Sequence, residues 1–314
     1  MNSPTANVAV IDLGSNSFKA LIATRENGLI VPLDQETIDA RISTGISEAE
    51  PRLRPESIER GIAAIKELQE MVDEYQPACV AAVATSAVRD AVNGGEFAER
   101  VFAATGIRLR ILSGDEEARL VGRGLLTDPA LAHLHDFYVF DLGGGSLEVL
   151  RFQNRQLAHA TSFPLGSVRL CEKMVGTPSE PLPPAEDRAV RQHTRQLLRD
   201  AGHTFEDGTK DAVFAGGSMT TSRMMLGEER GQTMGQTPAF IPLPALDALH
   251  RKLAHLHLED RLLIPGLPER RADIMPTSLS TILAIAELGG FDGFHHSLCS
   301  LRWGLADELL CSLA

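Results

Sequence analysis

The apolar positions of this chain fall into two rhythms, and each predicts a different kind of element. Short apolar runs that end in an acidic or glycine-rich turn predict buried strands. They cover Val8–Asp12 (VAVID), Cys79–Thr85 (CVAAVAT), Asp136–Asp141 (DFYVFD) and Asp211–Ala215 (DAVFA). Phe18–Ala23 and Leu147–Phe152 resume the apolar pattern after LGSNS and LGGGS, so each predicts the return strand of a hairpin. Ile107–Leu112 predicts a more alternating strand. Helical spacing governs other stretches. Pro55–Tyr75 places Ile58, Ile62, Ile65, Leu68 and Val72 on one stripe, with Pro55 near the first position. Ser113 opens a helix through the S-x-x-E capping box with Glu116, continued by Leu120, Val121 and Leu125. Thr277–Leu288 predicts a buried helix and Leu301–Leu313 a last one. The segment 176–184, with Pro178, Pro181, Pro183 and Pro184, predicts a loop.

One pattern repeats. VAVIDLGSNS (Val8–Ser17) and FYVFDLGGGS (Phe137–Ser146) share a strand, Asp-Leu-Gly and a terminal Ser, and VFAGGS (Val213–Ser218) is a looser third copy. A single strand–glycine turn is common. Two matched copies at domain spacing predict a duplicated domain, with one turn in each half facing the other across a cleft.

Length and composition agree with this. A chain of 314 residues, 43% hydrophobic and 23% charged, predicts two globular domains rather than disorder. No apolar run approaches the ~18 residues of a membrane helix, and the first residues lead straight into a strand without the basic start of a signal peptide. Cys79, Cys171, Cys299 and Cys311 form no CxxC or zinc spacing and predict free thiols in a reducing cytoplasm. The net charge of −12 argues against a nucleic-acid or membrane surface, although local arginines and a divalent ion still permit an anionic substrate.

The chemistry follows from the turns. Glycine turns expose consecutive backbone N–H groups that suit phosphate. Gly14, Ser15, Asn16 and Ser17 form the first candidate cradle, and Gly143, Gly144, Gly145 and Ser146 the second. Asp12 and Asp141 end the strands beside them, and Glu148 follows across the second hairpin. Carboxylates beside phosphate call for a cation, and Mg²⁺ is held by one or two carboxylates plus waters and substrate oxygens. Glu117 is left over by the capping box, at a helix N-terminus that favours its anion, and so suits proton abstraction from water. Arginine is the bidentate phosphate ligand. Arg89, after a strand, and Arg270 and Arg271, before a strand-like ADIMP, stand out over Arg119, Arg169 and Arg302. The adjacent His295 and His296 diverge in helix or strand and read as surface or core, not as ligands.

Taken together, VAVIDLGSNSFKALIA (8–23), ATSAVRDAVNG (84–94), ILSGDEEARL (111–120), VFDLGGGSLEV (139–149), FPLGSVRL (163–170), FAGGS (214–218) and RADIMP (271–276) resemble the exopolyphosphatase / guanosine pentaphosphate phosphohydrolase (Ppx/GppA) family in its short form. The resemblance implies an α/β fold of two actin-like, ribonuclease-H-type domains of the ASKHA superfamily, with an interdomain active-site cleft. It places domain I at 1–125 and 299–314, with a returning C-terminal helix, and domain II at 126–298. It implies Glu117 as the general base, with Arg89, Asp141 and Glu148 lining the site. Asp12, Asp141 and Glu148 would hold Mg²⁺, with a monovalent cation such as K⁺ as an optional addition. Both glycine turns and Arg270, or else Arg271, would bind phosphate. Inorganic polyphosphate is the implied substrate and guanosine pentaphosphate (pppGpp) the alternative, in a cytoplasmic enzyme that leaves room for a homodimer. A superfamily kinase using ATP, or a non-catalytic polyphosphate- or nucleotide-binding module, competes in another class. Two departures stand out: Lys19 where the family often has His, and Pro276-Thr277-Ser278 where it has Pro-Gly-Gly.

Overall fold

A computed structural model describes residues 6–205 and 208–313. The first five residues, read above as lacking a leader, and Ala314 lie outside the described residues. The elements run β1 (Val8–Leu13), β2 (Phe18–Glu26), β3 (Leu29–Ile38), α1 (Pro55–Glu74), β4 (Cys79–Ala84), α2 (Ser86–Asp90), α3 (Gly94–Thr105), β5 (Leu109–Ile111) and α4 (Gly114–Leu126). They continue with β6 (Phe137–Leu142), β7 (Leu147–Gln153), β8 (Gln156–Phe163), α5 (Ser167–Met174), α6 (Pro184–Asp200), β9 (Ala212–Ala215), α7 (Gly217–Glu228), β10 (Phe240–Pro242), α8 (Leu243–Ala254) and α9 (Leu258–Arg261). Last come α10 (Met275–Gly289), β11 (Gly293–His296) and α11 (Leu301–Ser312).

The chain forms two compact units. The first comprises residues 1–133, 160–162 and 299–314, and the second 134–159 and 163–298. The first unit therefore continues past 125, because the 3-10 turn Pro129–Leu131 stays with the end of α4. The sheet of the first unit has the order β3-β2-β1-β4-β5, and that of the second β10-β11-β9-β6-β7-β8. In each, an antiparallel three-strand meander is extended by parallel strands beside its first strand. The second sheet repeats the ribonuclease-H-type order of the first and adds β10 at its edge.

Sequence explains the central strands. Val8, Ala9, Val10 and Ile11 are fully buried, as a strand flanked by partners and covered on both faces must be. The stripe of α1 is buried as the periodicity predicts, with Pro55 at its first turn. β4 departs from the expectation of a fully buried strand: Val80 is 43% exposed. Its parallel neighbour β5 is only three residues long and covers Ala82–Ala84 alone, so the first half of β4 has a partner on one side only. In the second unit Phe140, Phe205, Phe291 and Phe294 meet mostly edge to face at centroid distances of 5.6–6.0 Å, an arrangement favoured by the ring quadrupoles.

The last helix completes the first unit. α11 packs on α4, β1 and β2. Its crossing with α4 is a backbone contact: a Cβ on Gly124 would lie 2.0 Å from the Ser300 carbonyl, and one on Gly304 would lie 1.9 Å from that of Leu120. Only glycine fits at either place. Asp307 adds ion pairs to Arg123 (2.7 Å) and Arg25 (2.5 Å). α4 is thereby fixed along its length, and its first turn carries Glu116 and Glu117. Among the described residues no helix is long and apolar enough to cross a membrane.

Candidate active site

In the first unit the β1–β2 register pairs Leu13 with Phe18 and Asp12 with Lys19. The turn between them runs from Gly14 to Ser17. Its carbonyls at Ser15 and Asn16 accept from the backbone N–H groups of Ser43 (3.3 Å) and Arg41 (2.9 Å). In a trans peptide the N–H points opposite to the C=O, so the N–H groups of Asn16 and Ser17 face away from that loop. Two of the three side-chain donors expected here are engaged within the protein. Ser15 Oγ shares a hydrogen bond with Ser86 Oγ (3.1 Å), and Ser17 Oγ donates to Asp39 (3.3 Å). Asn16 is buried, and its Nδ2 has no hydrogen-bond acceptor.

Arg89 lies in α2, directly after β4. Its Nη1 donates to Glu117 Oε2 at 2.6 Å and to the Leu112 carbonyl at 3.3 Å, and its Nε donates to Asp90 at 3.3 Å. Glu117 is 7% exposed. A carboxylate so buried needs a compensating charge, which the guanidinium supplies. Its neighbour has the other task. Glu116 accepts from the Ser113 N–H at 2.9 Å while Ser113 Oγ accepts from the Glu116 N–H at 3.2 Å, so the capping box is complete. The Arg110 guanidinium, bonded at 2.7 Å, and then Ser113 hold the Glu116 carboxyl down to about 2.

The second unit repeats the hairpin with different charges. Leu142 pairs with Leu147, and Asp141 with Glu148. The turn backs onto α5. Ser167 N donates to Gly143 O (2.9 Å), Val168 N to Gly144 O (2.8 Å) and Arg169 Nε to Gly145 O (2.9 Å). With those carbonyls held, the N–H groups of Gly144, Gly145 and Ser146 point away from α5 as a nest. Gly166 must be glycine, because a Cβ there would lie 2.3 Å from the Gly145 backbone.

The third glycine motif joins the same place. Gly216 has φ of 89°, and its Cβ position lies 2.8 Å from Asp141 Oδ1, so β9 delivers the start of α7 against the acidic pair. At Gly217 a Cβ would sit 1.7 Å from Arg271 Nη2. The Arg271 guanidinium therefore lies flat against the first residue of α7. Arg270 occupies the same 3-10 turn, Glu269–Arg271, one residue before it. The strand-like reading of ADIMP does not hold. Those residues turn into α10, with Pro276 in its first turn, where a missing N–H costs nothing. Ser278 is fully buried and back-bonds to Ile274 O at 3.0 Å; it belongs to the helix, not to a cradle.

The family model described as the Ppx/GppA phosphatase family matches residues 21–313. The chain belongs to the Ppx/GppA phosphatase family. Its structure is similar to the crystal structure of an exopolyphosphatase from Cytophaga hutchinsonii, at 23% identity, with 98% of each chain covered and a TM-score of 0.89. It is also similar to the Aquifex aeolicus Ppx/GppA family member, at 24% identity over 99% of this chain and 100% of that one, with a TM-score of 0.81. At these identities the likeness concerns the fold, the two-domain actin-like α/β architecture. Family membership makes this chain a phosphatase.

Several features of this Ppx/GppA chain are not readable from sequence. The docking of Arg271 on Gly217 is one. Another is Arg261, fully buried, which donates to the carbonyls of Leu253 (3.0 Å), Pro178 (2.8 Å), Glu180 (2.8 Å) and Ala272 (3.4 Å) and so anchors the turn that carries Arg271. A third is His296, buried on β11, which contacts Thr220 Oγ1 (3.0 Å) and Arg223 Nη1 (3.2 Å) of α7. Burial, then Arg223, push its imidazole down to about 4.

The donor set for a metal is sparse. Among the described residues no group of three or more His, Cys, Asp and Glu side chains gathers to hold an ion by protein ligands alone. Asp141 and Glu148, opposite each other on one face, fit the small number of carboxylates that Mg²⁺ takes when substrate oxygens complete its shell.

Proposed function

We propose that this phosphatase is an exopolyphosphatase that removes orthophosphate from the end of inorganic polyphosphate. Glu117 carries the reading. It is a buried carboxylate at a helix start, relieved of capping by Glu116 and held by Arg89 at 2.6 Å. In this reading a water oxygen attacks the terminal phosphorus, its proton passes to Glu117, and the bond from phosphorus to the bridging oxygen breaks. The shortened chain leaves with that oxygen. Phosphoryl transfer of this kind depends on positioning and on neutralising charge. The glycine turns, with Arg270 or Arg271, would position the chain. Asp141 and Glu148 would hold Mg²⁺, which when bound supplies charge neutralisation on the transferring group.

Guanosine pentaphosphate offers the same bond to the same machinery. Phosphate release from polyphosphate, guanosine pentaphosphate and ATP, measured in parallel with and without Mg²⁺, tests the proposal. Polyphosphate should be the fastest substrate and should need Mg²⁺. Faster release from guanosine pentaphosphate would transfer the assignment to that substrate. No release from any of the three would overturn the reading.

A further inference from the structure

Arg89 holds the proposed base, yet the element that carries it is too short to keep its own shape. α2 is five residues long, and a single helical turn fixes several dihedrals for very few hydrogen bonds. Its entry is tied by Ser86 Oγ, which shares a hydrogen bond with Ser15 Oγ at 3.1 Å. Its inner face is held by the buried Ala87 and Val88. The exit, just past Arg89, has little apolar packing, since Val92 is 56% exposed. Hydrogen bonds and one close backbone contact hold it instead. Val92 N donates to the Pro51 carbonyl at 2.9 Å. The Asn93 amide then bonds Leu53 in both directions, accepting from its N–H at 2.9 Å and donating to its carbonyl at 2.9 Å. Asn93 is itself buried, so each of these bonds is costly to lose. Leu53 is buried as well and leads into α1, whose stripe is seated in the core. At the next residue, a Cβ on Gly94 would lie 2.0 Å from the Val88 carbonyl, one residue before Arg89. Only glycine lets α3 start against the backbone of α2.

We propose that Asn93 is a positioning residue of the reaction: its two-way bond to Leu53, together with the Gly94 contact on Val88, fixes the exit of α2 against the start of α1 and so sets where the Arg89 guanidinium meets Glu117. Arg89 Nη1 reaches Glu117 Oε2 at 2.6 Å, and such a charge-assisted bond depends on geometry, so a small displacement of α2 disturbs it. Asn93 acts through Arg89 rather than on substrate. This deepens the proposed function and rests on its reading of Glu117 as the base.

One readout of the test needs no turnover. The Nε–H signal of Arg89 in a nitrogen–proton correlation spectrum of the full chain, recognised by its absence in Arg89→Ala, should move or broaden in Asn93→Ala. In steady-state phosphate release, Asn93→Ala should lower kcat roughly ten- to hundredfold with KM little changed, the size of a displaced catalytic group. Added to Arg89→Ala, the same substitution should cost less than about twofold, because the group it positions has gone. A role confined to stability would multiply the two losses instead. If Asn93→Ala fails to fold, Asn93→Asp carries both readouts: it keeps the acceptor for the Leu53 N–H but turns a second oxygen toward the Leu53 carbonyl. An unmoved Arg89 signal, or the same loss of kcat with and without Arg89, would overturn the proposal. A moved signal in a chain that releases no phosphate from any substrate would leave the clasp standing and sink the proposed activity alone.

Discussion

The β1–β2 and β6–β7 hairpins are two copies of one device with opposite electrical characters. Each ends a buried strand in Asp-Leu-Gly, turns its backbone carbonyls toward a neighbouring segment and leaves N–H groups facing the other way. Across from the aspartate, however, one copy has lysine and the other glutamate. The difference teaches that the backbone of such a turn sets where an anion can be met. The residue opposite the aspartate sets the sign of the charge that faces it across the hairpin. The copies also differ in their surroundings. The first is accompanied by the Glu117–Arg89 pair, the second by Arg271 on the first residue of α7.

The sharpest way to break this comparison is to remove Glu117, the base proposed for the first unit. Glu117→Gln should lower turnover about 10²–10⁴-fold with little change in melting temperature. Glu116→Gln should be mild, because glutamine also closes a capping box. Equal losses would mean that the two glutamates do not divide their tasks. Next in size is the arginine of the second unit. If Arg271 is the phosphate contact, Arg271→Ala should raise KM roughly tenfold or more, and Arg270→Ala much less. Steady-state kinetics on both variants decides this, and the reverse order would move the phosphate contact to Arg270.

A third experiment addresses stability. Gly304→Val should cost about 1–3 kcal/mol by forcing α11 off α4, the usual range for overpacking. Hydrogen exchange should show the loss in the first unit and leave the second protected. The smallest effect is one of pH. Because burial holds His296 near 4 when folded against an ordinary value of 6.5, the unfolded chain binds more protons in that window. Stability of the second unit should therefore fall as pH drops from about 6.5 toward 4. The first unit's capping carboxylate, held near 2, keeps its contribution until the medium is far more acid. Exchange measured at pH 7 and 5 should show the second unit loosening first, and His296→Gln should reduce that slope.

What sequence could foretell follows from how local each feature is. β1 with its turn, α1 with its stripe and the Ser113–Glu116 box are legible because neighbours in sequence make them. The edge strands β3 and β8 escape notice because one face of each meets water and no apolar alternation survives. α6 escapes because its buried contacts narrow to Val190, Thr194 and Leu198 in a strongly polar segment. In the candidate site, Glu117, Arg89 and the Asp141–Glu148 pair are readable from motif spacing. The bond from Arg302 to the Ala20 carbonyl is not, since Arg302 comes from the far end of the chain. The packing of Arg271 on Gly217 depends on where α10 begins, and a short apolar run before a proline reads equally well as a strand.

The return of α11 also bears on the order in which the molecule is made. The second unit is encoded almost entirely between residues 134 and 298 and can gather its core as soon as that stretch has left the ribosome. The first unit begins earlier yet is completed later, because the face that α4, β1 and β2 turn to α11 stays uncovered until residues 301–312 have been synthesised. During translation the half that carries Glu117 therefore stands open longest. It is the half on which a chaperone has most time to act.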